Sequence, residues 1–230
     1  MTDTKYFIDY GKLWSFEIEQ DEYAESPRDF CDHVGVMAVF WSRYRLGDYR
    51  ETDGYNGREY IKKLIDKRMP EKDYNRESED VDYLLSILDE DDDFIYLYLY
   101  IYEHSGLAIS TGSFGDPWDS GCAGFIWTDK SRYDEYCGKS GDWKEEAVKI
   151  LEYEVEEFDN YLHGDVYATH CVEYDLESED FDGEDEWLGG YYSGKWGEAL
   201  IDELYGYTTS AKRYDDFDEA LADYRNWLSV

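Results

Sequence analysis

The stretch 94–102 constrains this chain more than any other. Its nine residues, FIYLYLYIY, carry no charge and are rich in aromatic and β-branched types, as in a strand buried within a sheet. The stretch alternates. Tyr96, Tyr98, Tyr100 and Tyr102 fall on one face, and Ile95, Leu97, Leu99 and Ile101 on the other. Period two therefore predicts an aliphatic face on the main core. The tyrosine face is expected to be half-wetted, its hydroxyls reaching water or a partner. After Glu103-His104-Ser105-Gly106 comes the run 107–112, then the polar loop 116–121 (DPWDSG) and a second apolar run at 122–128. Three strand-like runs divided by turn residues predict a β-meander with the first run central.

The flanking sequence supplies the remaining elements. Residues 6–18 read as two short strands around Gly11-Lys12, and 34–41 as a buried strand. Ser26 caps a helical turn over 27–32 with Pro27 in its first turn. An amphipathic helix over 58–67 stops at Met69-Pro70, and a second helix over 78–88 starts from Ser78 with acids in its first turn. A helical turn at 130–136 precedes the longest helix, 142–161, whose Ala147, Ile150, Leu151, Val155 and Phe158 recur at helical spacing. Gly164 ends it, 165–174 alternates like a strand, 187–192 is aromatic and glycine-rich, and helices follow over 195–205 and 215–228. There is no internal repeat and no Pro/Ser linker. The expected fold is α+β, a mainly antiparallel sheet built on the central meander with helices packed on one side. It forms a single acidic domain over 1–230, with 172–230 as a C-terminal elaboration.

Charge is the outlying property. Asp and Glu number 57 against 22 Lys and Arg, a net charge of −35 in 230 residues. Acidic disordered chains are poor in aromatics, whereas this one is 19% Phe, Trp and Tyr, so the charge belongs to a folded protein. The imbalance exceeds what solubility asks and works against compaction. Cys31, Cys122, Cys137 and Cys171 form no CxxC pair, the first residues lack a basic-then-apolar leader, and no apolar run approaches the roughly 20 residues of a membrane span. An anionic membrane surface would repel the chain. These features predict a reduced, soluble, cytoplasmic protein with no membrane partner and no cofactor, and they do not fix its oligomeric state.

Three pieces of the middle of the chain stand out as motifs. They are His104-Ser105-Gly106 with Ile109-Ser110, then Asp116-Pro117-Trp118-Asp119-Ser120-Gly121 followed by Gly124-Phe125-Ile126, and then residues 152–166 (EYEVEEFDNYLHGDV). In these pieces, about a third of its length, the chain resembles a family of uncharacterised proteins encoded by phages and mobile elements. The resemblance implies a mobile-element setting, hence a host-cell cytoplasm, and assigns no catalytic residue. The acidity here exceeds the family's usual character.

The acids form the strongest functional signal. Asp89, Glu90, Asp91, Asp92 and Asp93 run together just before the central strand. Glu177, Glu179, Asp180, Asp182, Glu184, Asp185 and Glu186 crowd a second segment, and further patches occupy 77–82, 152–159 and 215–219. A basic groove that binds nucleic acid draws much of its affinity from phosphate charge, and carboxylates at similar density on an aromatic-braced frame can occupy such a groove. The leading expectation is a non-enzymatic nucleic-acid mimic that blocks the basic DNA- or RNA-binding groove of a host defence complex of restriction or CRISPR type. Those twelve carboxylates are its candidate contacts. The bland counterparts are a merely solvated acidic surface and adaptation to high salt. Direct nucleic-acid binding is not expected, because basic patches are absent.

Catalytic and metal readings are thinner. His104, Asp119, Ser120 and Cys122 suggest a mobile-element enzyme using the DPWDSG loop, but no G-x-S-x-G elbow or recognised Cys/His spacing is present. The structural account of that loop has Pro117 setting φ, Asp116 and Asp119 closing turns onto backbone N–H groups, Gly121 at positive φ, and Trp118 plugging the core. A calcium loop with Gly183 in sixth place would begin at Ser178 and end at Gly189, without the bidentate Glu it requires. Cys31-x-His33 and His170-Cys171 are too sparse for zinc, so no metal site is expected.

Overall fold

A computed structural model describes residues 4–30, 32–48, 52–104 and 106–229. Cys31 and Ser105, which the sequence reading singled out, lie outside the described residues. Nine strands and seven helices are described, and the sheets are antiparallel throughout, in line with the expected α+β class. The chain divides into two compact units: residues 26–163 form one, and residues 1–25 with 164–230 form the other. The expected single domain with an elaboration at 172–230 is coarser than this division, because the segment from 164 onward packs with the first 25 residues.

The unit spanning 26–163 is built on β4 (Phe94–Glu103). It hydrogen-bonds to β5 (Leu107–Ser110) on one edge and β6 (Ser120–Asp129) on the other, and β3 (Val36–Val39) completes a sheet of order β3-β6-β4-β5. The apolar strand is central, as its composition predicts. The three strands are not in meander order, since β6 crosses to the far edge of β4. Helices cover both faces of this sheet, where the sequence reading placed them on one. The face bearing Val36, Ala38, Phe94, Phe125 and Trp127 packs on α2 (Gly57–Arg68) and α3 (Val81–Leu88) through Tyr60, Ile61, Leu64, Leu84 and Leu88. The opposite face, with Met37, Val39, Leu99, Ile101 and Ile126, packs on Leu151, Val155 and Phe158 of α5 (Trp143–His163). Period two fixes both sets: consecutive residues of β3 alternate between the two cores. The short α1 (Pro27–Phe30) begins at Ser26, whose hydroxyl accepts the Arg28 N–H at 3.3 Å, and α4 (Lys130–Cys137) follows β6 directly.

Local signals place the helix ends. Asn56 and Glu59 make a reciprocal capping box at the start of α2, satisfying two orphan backbone donors. At α3 the cap is Asp80, which accepts the Tyr83 N–H. Ser78, the expected cap, instead accepts the Asp80 N–H at 3.2 Å. Gly124 sits at the irregularity between β4 and β6, where a Cβ would lie 2.0 Å from the Ala38 carbonyl oxygen, so only glycine lets β3 approach.

The other unit holds the sheet β8-β7-β2-β1-β9, made of β1 (Lys5–Asp9), β2 (Lys12–Gln20), β7 (Val166–Asp175), β8 (Asp180–Tyr192) and β9 (Arg213–Tyr214). Phe7, Trp14, Phe16, Ile18 and Cys171 face α6 (Glu198–Thr208) through Leu200, Ile201, Leu204 and Tyr205. Leu13, Tyr174 and Tyr214 meet Ala220 and Tyr224 of α7 (Phe217–Leu228) on the reverse side. No helix among the described residues is long and apolar enough to cross a membrane.

Candidate acidic interaction surface

The two acidic clusters fall on different compact units. Asp89, Glu90, Asp91, Asp92 and Asp93 form the turn between α3 and β4 in the unit of residues 26–163, with Asp89 as the C-cap of α3. Glu177, Glu179, Asp180, Asp182, Glu184, Asp185 and Glu186 belong to the β7–β8 hairpin of the other unit. The acid run of this hairpin reads as a loop by composition, yet it forms most of a thirteen-residue strand. That register also leaves no twelve-residue calcium loop over 178–189.

Within each cluster the carboxylates differ in their engagement. Asp91 is half-buried, accepts from Arg68 Nε at 2.7 Å and from the Asp93 N–H at 3.0 Å. The same guanidinium reaches Asp129 at 2.6 Å and the Asp93 carbonyl at 3.2 Å and lies over the Phe94 ring, so Arg68 clamps the turn. Glu90 pairs with Lys72. In the hairpin, Lys12 bridges Glu173 at 3.0 Å and Glu184 at 2.9 Å, Arg225 approaches Glu179 at 3.6 Å, and His170 holds Asp185 at 2.7 Å. The carboxylates of Asp89, Asp92, Asp93, Glu177, Asp180, Asp182 and Glu186 have no Lys, Arg or His partner among the described residues. All seven are exposed.

Hydroxyls and backbone N–H groups hold several acids without neutralising them. Tyr98 donates to Asp82 at 3.1 Å, Tyr96 reaches Asp89 at 3.5 Å, Ser178 donates to Asp182 at 2.7 Å, and the Phe181 N–H reaches Asp180 at 2.8 Å. Burial, then Asp89, pushes the Tyr96 phenol well above its ordinary value, and burial followed by the Asp82 contact raises Tyr98. Both phenols therefore stay protonated as donors. The tyrosine face of β4 is thus partly covered by α3 at Tyr96 and Tyr98, whose hydroxyls meet acids of this same chain. Acid position alone does not mark such braces. The signal is the pairing of a tyrosine face with a helix that starts and ends in aspartates.

Other acid patches have structural roles. Glu154, within the 152–159 run, is buried. Its carboxylate takes Arg28 Nη1 at 2.9 Å and the backbone N–H of Val34 at 2.8 Å. Asp159 accepts the Ile109 N–H at 2.7 Å, and Asp216 caps α7. The spacing of Leu151, Val155 and Phe158 already puts residue 154 on the apolar stripe of its helix, and that was the available sign.

The DPWDSG loop is closed as expected by Asp116, which accepts the N–H groups of Trp118 at 2.8 Å and Asp119 at 3.2 Å. Those donors hold the Asp116 carboxyl below the usual range. Two expectations fail there. Trp118 is 92% exposed, and the turn is fixed by the Asp116 side chain instead. Gly121 is not at positive φ, since β6 has begun by Ser120, and the left-handed residue is Gly115 at +73°. His104 Nδ1 meets Asp119 Oδ2 at 2.9 Å, but the Ser120 hydroxyl donates to the Asp116 carbonyl, so it is not the partner of His104.

Cations concentrate elsewhere. A cavity of about 440 Å³ in the unit of residues 26–163 is lined by Arg28, His33, Lys63, Lys67 and Arg132 beside Asp29, Asp32 and Asp48. Both arginines are engaged within the chain: Arg28 by Asp48 and Glu154, and Arg132 by the carbonyls of His33 and Val34. Cys122, Cys137 and Cys171 are free thiols, and burial pushes Cys171 up to about 12. No protein-family model matches this chain, and neither does any curated protein or solved structure.

Proposed function

We propose that this protein is a non-enzymatic nucleic-acid mimic of a phage or mobile element. Its exposed carboxylates enter the basic nucleic-acid groove of a host restriction or CRISPR-type complex and exclude DNA or RNA by competition. The observation that carries the reading is the pairing state of the acids. The carboxylates of Asp89, Asp92, Asp93, Glu177, Asp180, Asp182 and Glu186 are exposed without a cationic partner among the described residues, on a helix-to-strand turn and a β-hairpin rather than on a loose tail.

Charge density decides what is imitated. Asp180, Asp182, Glu184, Asp185 and Glu186 fall within seven residues of β8, a span of about 20 Å at strand geometry. Over that length a duplex presents about twelve charges and one of its strands about six. The hairpin therefore stands in for one phosphate strand, not for a duplex. Lys12 lowers its charge further. A complementary cleft would capture it quickly, and salt would weaken the encounter.

The test is a gel-shift competition in which the protein displaces labelled DNA from a restriction or CRISPR complex at low ionic strength. Asp92→Asn, Asp93→Asn, Glu177→Gln and Glu186→Gln combined change side chains that make no hydrogen bond or ion pair among the described residues, so the fold is kept. The expected result is displacement by the native chain and at least a tenfold loss of potency in the variant. No displacement at large protein excess, or equal competition by the folded variant, overturns the reading.

A further inference from the structure

We infer that Glu17, Glu19 and His170 form a binding site for one divalent transition-metal ion of the zinc type. His170 is far from the two glutamates in sequence and adjacent to them in the sheet. Glu17 of β2 stands directly opposite His170 of β7, and Glu19 lies two residues along the same strand. Period two puts all three on one face. One ligand atom from each lies within 4.8 Å of the other two. A tetrahedral ion with bonds of about 2.1 Å needs donors about 3.4 Å apart. Rotation of two glutamates that are exposed or half-exposed closes that difference.

The imidazole separates this group from an ordinary acid cluster. Its ring is fixed from outside the ligand set. Asp185 of β8 holds Nε2 at 2.7 Å, and the Trp187 ring stacks on it at 4.3 Å and 21°. A carboxylate that orients one imidazole nitrogen and leaves the other as donor is the arrangement found behind metal-bound histidines. The donor to the ion is then Nδ1. The two glutamates have no Lys or Arg partner among the described residues, and Glu17 takes only the Thr4 hydroxyl at 2.6 Å. Two carboxylates with one imidazole make a borderline donor set that suits zinc and its neighbours, whereas magnesium and calcium prefer oxygen alone. The fourth position falls to water.

A chain this acidic collects divalent cations loosely, so the test is run against excess magnesium, which occupies carboxylate-only sites. Zn²⁺ is titrated into the full chain in millimolar Mg²⁺, followed by calorimetry and by the His170 ring signals in NMR. The expected result is one equivalent of Zn²⁺ with displaced His170 resonances. His170→Gln, or Glu17→Gln with Glu19→Gln, lowers the affinity at least tenfold, and Asp185→Asn lowers it 10- to 100-fold. Glu22→Gln, an exposed acid nearby in sequence, leaves it unchanged. If His170→Gln fails to fold, the glutamate pair gives the same readout. Absence of a magnesium-resistant equivalent, unmoved His170 signals, or unchanged affinity in the folded variants overturns the site. No nucleic-acid-binding partner is present, so this outcome is separate from the fate of the mimic reading.

Discussion

Arg28 keeps its charge where water barely reaches it, with a side chain only 1% exposed. Burial works against that charge, but Asp48 and then Glu154 outweigh it and hold the guanidinium above its ordinary pKa. The guanidinium also donates to the Gly35 carbonyl at 2.8 Å, and Glu154 in turn takes the N–H groups of Val34 and Gly35. One ion pair thus sets the chain's path into β3. Removing Glu154 leaves Arg28 with Asp48 alone and leaves the buried N–H groups of Val34 and Gly35 without their acceptor, which costs far more than the pair contributes net. Glu154→Ala is therefore expected to destabilise by about 3–5 kcal/mol, seen as a fall in Tm of about 10 °C. Glu156→Ala, its exposed neighbour on α5, should stay within about 0.5 kcal/mol. Equal melting temperatures for the two variants would show that the buried pair does not hold the β3 entry.

At the scale of elements, β8 has a property that competes with mimicry. It is the edge strand of its sheet, thirteen residues long and exposed over most of its length, with Trp187 and Leu188 each about half exposed. An edge so long invites pairing with a second copy, and charges are the usual guard. Asp182→Asn, Glu184→Gln and Glu186→Gln combined should therefore produce dimers or larger species in analytical ultracentrifugation, against a monodisperse native chain. A variant that stays monodisperse would show that these acids do not guard the edge. Such a strand was not legible as one, because DFDGEDE has the composition of a solvated loop and its pairing to β7 is irregular. β4 was legible, since nine uncharged residues in strict alternation admit one reading. The site at Glu17, Glu19 and His170 lay beyond local pattern altogether. His170 is some 150 residues from the two glutamates and meets them only through the pairing of β2 with β7. Trp118 misled for the opposite reason: a large indole in a tight loop suggests a plug, while Asp116 alone closes the turn.

For the whole molecule, salt acts on two quantities with opposite signs. The net charge of −35 is far from balanced by the chain's 22 cations, so long-range repulsion among acids exceeds the exposed ion pairs, each worth less than about 1 kcal/mol. The screening length falls from about 30 Å at 0.01 M to about 8 Å at 0.15 M and about 3 Å at 1 M. Most of the repulsion is thus removed before molar salt, and Tm should climb chiefly between about 0.01 and 0.15 M NaCl and flatten beyond about 0.5 M. Over the same range, competition for a basic groove should weaken steeply, because counterion release no longer favours it. Scanning fluorimetry and gel-shift competition on one salt series read both trends. A Tm that keeps rising into molar salt would assign the acidity to life in brine. A competition insensitive to salt would mean that the carboxylates are not what the groove reads, since no arrangement of exposed charge can bind a cationic cleft while ignoring its ions.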